Sequence, residues 1–138
     1  MSGAIYPDLK GRTVFITGGA MGIGEAFVEA FHGQGCKVAF VDLADDRAQA
    51  LIKRLGGNIW YKHCDVTDTP ALQAAIREAG QALGPITVLV NNAAHDERHK
   101  LEDMTPDYWD GRIAVNLKHQ FFASQAVAPM MKQAGGGS

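Results

Sequence analysis

Four short apolar runs alternate with stretches of helical spacing, and this alternation limits the fold more than any other feature of the chain. Thr13-Val14-Phe15-Ile16 ends in Thr17-Gly18-Gly19. A helix follows from Gly22 to Gln34, with Ile23, Phe27, Ala30 and Phe31 spaced along one face and Gly33 and Gly35 closing it. Val38-Ala39-Phe40-Val41 ends at Asp42, and a second helix spans Asp45 to Leu55, stopped by Gly56-Gly57. The third run, Ile59 to His63, ends at Cys64-Asp65. Thr69-Pro70 opens the next helix, with the threonine as its cap, and Leu72, Ile76 and Leu83 line its inner face up to Gly84-Pro85. Val88-Leu89-Val90 is the fourth run and ends at Asn91-Asn92. The runs are continuously apolar, as strands are when helices cover both faces of their sheet. A β-α-β-α-β-α-β series with right-handed crossovers predicts an α/β fold, a doubly wound parallel sheet.

Beyond the fourth run lie a polar loop, Ala94 to Met104, and a long helix opened by Thr105-Pro106 and running to about Gln133. Trp109, Ile113, Val115, Leu117, Phe121, Phe122, Val127 and Met130 supply its apolar positions, and Pro129 should kink it or loosen its last turn. A length of 138 residues predicts one domain, and no repeat is visible beyond the alternation itself.

Between the first strand and first helix stands Thr17-Gly18-Gly19-Ala20-Met21-Gly22-Ile23-Gly24. A pyrophosphate needs unhindered backbone N–H groups at the positive end of a helix dipole. Glycine at 18 permits a tight turn, glycine at 22 lets backbone approach phosphate, and glycine at 24 lets the helix pack close to the sheet. The alternative is a strand-to-helix turn with no ligand. Asp42 ends the second strand, 24 positions after Gly18. A carboxylate there can accept hydrogen bonds from both ribose hydroxyls of an adenosine and repels a 2′-phosphate; otherwise it is a helix cap or a solvated acid. Met21 and Leu43, where a base would hold that phosphate, are uncharged. NAD rather than NADP is the expected cofactor.

Charge excludes other classes. The formal net charge is -2 with both signs mixed, which leaves no basic face for nucleic acid. Val38 to Val41 and Ile86 to Val90 are too short to cross a membrane, and Met1 to Lys10 lacks the pattern of a secretory signal. Cys36 and Cys64 read as buried small hydrophobes, and a cytoplasmic location fits. His95 and His99 are four apart in a loop with no third ligand, so no metal is expected.

The chain resembles the short-chain dehydrogenase/reductase family from about Leu9 to Ser138. The likeness rests on Thr17-Gly18-x-x-x-Gly22-x-Gly24, Asp65-Val66, Asn91-Asn92-Ala93-Ala94 and Val115-Asn116-Leu117, in that order. Ala94 stands where the family usually has glycine. The resemblance implies a Rossmann-type sheet in the order 3-2-1-4. It implies that the cofactor lies against Gly18, Met21, Gly22, Ile23, Gly24, Asp42, Leu43, Asp65, Val66, Asn92 and Ala93. Asp65 would accept from the adenine amino group with the Val66 backbone beside it, and Asn91-Asn92-Ala93 would wall the adenosine ribose, although Asn91 is equally readable as a tie within the turn. Asn116 is implied as catalytic, at a disturbed helical turn that holds a water of a proton relay; its bland reading is the repair of a helix defect.

The family's other catalytic groups, a serine and a Tyr-x-x-x-Lys pair, would follow the long helix. The sequence ends at Gly135-Gly136-Gly137-Ser138, where a fifth strand would begin, unless this tail is a linker. Tyr6 to Lys10 has the pair's spacing at the wrong end of the sheet. The expectation is therefore an incomplete NAD-binding domain over 1–138, inactive alone, from an enzyme moving hydride between NAD and a secondary alcohol or sugar hydroxyl. A non-catalytic NAD-binding or structural relative is the alternative. His95 to Lys100, Tyr108-Trp109-Asp110 and Phe121-Phe122 resemble members that oxidise aldoses, although His95 stands where those carry asparagine. The loop can equally be a solvated charged segment. The helix around 105–133 is apolar beyond one stripe, which predicts a homodimer or homotetramer, unless further residues of the same chain cover it.

Overall fold

A computed structural model describes residues 3–138. Four strands, β1 (Thr13–Thr17), β2 (Lys37–Asp42), β3 (Ile59–His63) and β4 (Ile86–Val90), form one parallel sheet in the order β3-β2-β1-β4. Helices α1 (Gly22–Gly33), α2 (Asp45–Leu55) and α3 (Thr69–Leu83) make the crossovers. The Rossmann-type α/β architecture is the expected one.

Pleating divides the core in two. Val14, Ile16, Val38 and Phe40 face α1 and α2, meeting Val28, Ala48 and Leu51. Phe15, Ala39 and Val41 face the other way, onto Leu72, Ala75, Ile76 and Ala79 of α3. Every residue of β1 is buried. Each large apolar side chain so enclosed is worth about 1.5–3 kcal/mol.

Two local expectations shift. Asp68, not Thr69, caps α3: its carboxylate accepts from the Ala71 N–H at 3.0 Å. The cap must precede the first helical residue, and Thr69 is that residue. On α1 the buried positions are Gly24 and Val28, whereas Ile23 is 72% and Phe27 37% exposed. The helix is rolled so that its smallest residue meets the turn before it.

The long helix has three parts: α4 (Pro106–Ile113), a π-helical turn (Ala114–Lys118) and α5 (His119–Gln133). Thr105 caps α4 through the Tyr108 N–H, with Pro106 in the first turn. The π turn contains Asn116, where a disturbance was expected, and α5 carries Pro129 inside it and still reaches Gln133. Ala123 and Val127 of α5 complete the core layer beside α3. The free edge of β4 carries one further rung: the Ser138 N–H donates to the Thr87 carbonyl at 3.0 Å and the Leu89 N–H to the Ser138 carbonyl at 2.8 Å. Among the described residues, no helix is long and apolar enough to cross a membrane, and no group of three or more metal-ligating side chains comes together.

Candidate cofactor cleft

A cleft of about 720 Å³ opens at the carboxyl ends of the strands, and all eleven residues singled out for cofactor contact line it. This is where ligands sit in open α/β sheets. Gly18 and Gly22 have φ of +70° and +57°, values that suit glycine. A Cβ on Gly24 would lie 1.7 Å from the Gly18 carbonyl oxygen. The third glycine therefore lets α1 close onto the turn itself, a tighter constraint than approach to the sheet. A Cβ on Gly19 would lie 2.6 Å from Cβ of Phe40, so that residue too is required by packing. Its signal in the sequence is only its place beside Gly18.

Thr17 is the hub that motif spacing missed. It is fully buried, and its Oγ1 accepts from the N–H groups of Asn92 and Ala93, both at 3.0 Å. The Asn92 side chain returns the tie, donating from Nδ2 to the carbonyls of Thr17 at 3.1 Å and Gly18 at 2.9 Å. The tying role considered for Asn91 thus belongs to Asn92. Asn91 instead has a buried Oδ1 with no partner among the described residues. Asn91 and Asn92 are successive residues at the strand end and point to opposite sides, so only one of the two amides can reach back to the glycine turn.

Asp42 does two jobs. Its Oδ2 accepts from the Ala20 N–H at 2.9 Å, and Oδ1 accepts from Leu43 at 2.8 Å and Ala44 at 3.0 Å. The carboxylate is held at the cleft edge by the turn's own backbone and does not cap α2, whose N-cap is Ala44 with no side-chain cap bond. Leu43 is 58% exposed and Met21 53%, flanking it without charge. Asp65 Oδ1 accepts from both the N–H and hydroxyl of Thr67, at 2.9 and 2.8 Å, and both residues line the cleft with Val66. Cys64 lies beside them; burial first, then Asp68 and Asp65, pushes its thiol up, so it remains a protonated wall residue. Cys36 is buried likewise, at the far side of α1.

The cleft suits a dinucleotide on its own geometry. No side chain caps the first turn of α1, and the space on the Cα of Gly22 is open. The N–H groups there need acceptors, and a bound phosphate would supply them. Among the described residues no lysine or arginine lines the cleft, whereas Asp42, Asp65 and Asp96 do.

The opposite end is built differently. The Asn116 side chain lies outside the lining set; Oδ1 accepts from the His95 N–H at 2.8 Å and Nδ2 donates to the His95 carbonyl at 3.0 Å. The π turn thereby grips the loop by backbone, whatever side chain stands at 95. The Asn116 carbonyl accepts from Gln120 Nε2 at 2.8 Å. Farther out, Arg112 pairs with Glu97 at 2.5 Å and stacks 4.4 Å above the Tyr108 ring, whose edge meets His99. His95 and Asp96 reach the cleft; residues 97–100 are exposed. Tyr6 sits against Gln34 at the end of α1 remote from the glycine turn, so its spacing to Lys10 is a coincidence.

Comparison with known proteins agrees with this fold. The chain is 50% identical over 141 residues to D-xylose 1-dehydrogenase of Caulobacter vibrioides, covering 100% of this chain and 55% of that protein. It is 47% identical over 137 residues to the probable galactose dehydrogenase GalD of Rhizobium meliloti, covering 96% of this chain and 54% of that protein. The crystal structure of a blue fluorescent protein from a metagenomic library, in complex with NADPH, superimposes with a TM-score of 0.84 at 31% identity, over 88% of this chain and 51% of that one. The chain spans about half the length of the curated relatives it matches. Residues 12–138 match the short chain dehydrogenase family, and this chain belongs to that family.

Proposed function

We propose that residues 1–138 are the NAD-binding part of a dehydrogenase that oxidises an aldose. The observation that carries the cofactor choice is the acidic cleft edge: Asp42 is locked by three backbone N–H groups, and among the described residues no lysine or arginine lines the cleft. A 2′-phosphate would stand against that fixed charge, whereas ribose hydroxyls can donate to it. The first turn of α1 holds the pyrophosphate by its free N–H groups, Asp65 accepts from the adenine amino group, and Val66, Asn92 and Ala93 wall the nucleoside. When bound, NAD supplies the hydride acceptor. Asn116 positions the loop that closes the other end and, through its turn, the relay that carries the substrate proton. The tyrosine, lysine and serine implied by the family resemblance are not among the lining residues, so residues 1–138 alone bind nucleotide and turn nothing over. The same observation favours the second reading, a nucleotide-binding module without catalysis.

An aldose is the substrate class because the two sugar dehydrogenases above match 100% and 96% of this chain at 50% and 47% identity. Trp109, Ile113, Leu117 and Phe121 recur every fourth position and are 56%, 37%, 59% and 64% exposed. This stripe is the contact of a homodimer or homotetramer, burying on the order of 1,000 Å². Two buried free cysteines suit a cytoplasmic setting. Titration with NADH and NADPH is the test. NADH should bind at least about tenfold more tightly, and Asp42→Ala should narrow the gap; equal binding of NADPH by the unmodified protein overturns the cofactor reading.

A further inference from the structure

The buried histidine of α5 has no part in the reading above, and its hydrogen bonds leave it one protonation state. His119 is 1% exposed. Its Nδ1 meets the Val115 carbonyl, which only accepts, so Nδ1 carries the proton. Its Nε2 lies 3.2 Å from Thr17 Oγ1. A hydroxyl has one hydrogen and two lone pairs. Both lone pairs of Thr17 are taken by the N–H groups of Asn92 and Ala93. The hydroxyl hydrogen is left for Nε2, which accepts it only when the ring is neutral.

We propose that neutral His119 is a positioning residue, joining the π turn at Val115 to the floor of the cofactor cleft by fixing the Thr17 hydroxyl. The inference rests on the nucleotide-binding reading for its consequence, not for its geometry. A second proton would have to sit on Nε2, facing a hydroxyl with no free lone pair. The Thr17 hydroxyl must then turn, and the Asn92 and Ala93 N–H groups lose their acceptor. Acidification therefore loosens the glycine turn and the π segment together.

Little else can set the ring's charge. β1 and β4 carry no titratable side chain, and α3 offers only Arg77 and Glu78, the latter paired with Lys62. Lys118 adjoins the ring on its own helix and is exposed. Burial holds the ring below its ordinary ionisation range, opposed by the Val115 carbonyl; no charged group contributes. The unfolded chain takes up the proton first as pH falls below about 6.5. Stability is thus fully present above that pH and declines as pH drops toward the native value.

The test needs no variant at first. Nitrogen NMR of the native protein should show His119 with its proton on Nδ1 at neutral pH, ionising below an ordinary histidine. Exchange protection of the Asn92 and Ala93 amides should fall as it ionises. The NADH dissociation constant should rise at least about threefold over the same pH range, and His119→Gln, which keeps an acceptor and cannot titrate, should flatten that rise. A proton on Nε2, ordinary ionisation with unchanged amides, or an undiminished pH dependence in His119→Gln overturns the proposal. Failure of NADH to bind at any pH would instead sink the cofactor reading, while the ring and amide measurements still decide the role of His119.

Discussion

The two ends of the cleft are built on different principles. At the nucleotide end, β1, the glycine turn and the end of β4 are locked by backbone groups around a fully buried Thr17. At the other end, an irregular exposed loop hangs from Asn116 and from one ion pair with a stacked ring. The first arrangement leaves no room for a methyl group on Gly19 or Gly24. The second tolerates almost any side chain at 95, because its tie is to the main chain. A shape common to every substrate of a family can be built into the backbone. Choice of substrate is better carried by a loop, where change costs little.

Substitutions at the two ends should separate this contrast. Gly24→Ala should have the largest effect, at least about 3 kcal/mol with loss of nucleotide binding, because its Cβ overlaps the Gly18 carbonyl. Urea unfolding measures it; a loss under 1 kcal/mol would mean the turn can yield. Thr17→Val keeps the shape and removes the oxygen, leaving two buried N–H groups without an acceptor, for about 2–3 kcal/mol in the same assay. A neutral result would show that water replaces the hydroxyl. At the other end, Asn116→Ala should cost about 1 kcal/mol and raise amide exchange at His95 without altering NADH affinity. Weakened NADH binding would show that the two ends are one unit. Glu97→Ala, which breaks a pair whose carboxylate is 62% exposed, should cost a few tenths of a kcal/mol and shift only the response to sugars. Unchanged sugar preference in the full-length enzyme would remove the loop from the specificity argument.

The Gly24 and Asn116 cases also show where reading residues in order stops. The spacing of Gly18, Gly22 and Gly24 announces a phosphate turn, but that Gly24 is confined by the Gly18 carbonyl emerges only when the helix is docked. Asn116 is conspicuous as an amide in an apolar helix; its partner at His95 is 21 residues away and could not be named. Ile23 and Phe27 follow helical spacing and yet face outward, because spacing defines a face without saying which way the helix is rolled.

By itself the sequence determined the element order, the parallel sheet and the eleven residues that meet in the cleft. The element order, the sheet, the turn glycines and Asp42 follow from local patterning that is legible one segment at a time, whereas Asp65, Val66, Asn92 and Ala93 are implied only by the resemblance of their motifs to a known family. Only the tertiary structure decided which asparagine ties β4 to the turn, that Thr17 is the hub, and that a histidine 102 residues away completes its hydrogen bonds. Such assignments depend on which donors and acceptors are left over after the backbone has folded. A buried polar group must be satisfied by whatever lies beside it in space, and the order of residues along the chain does not say what that is.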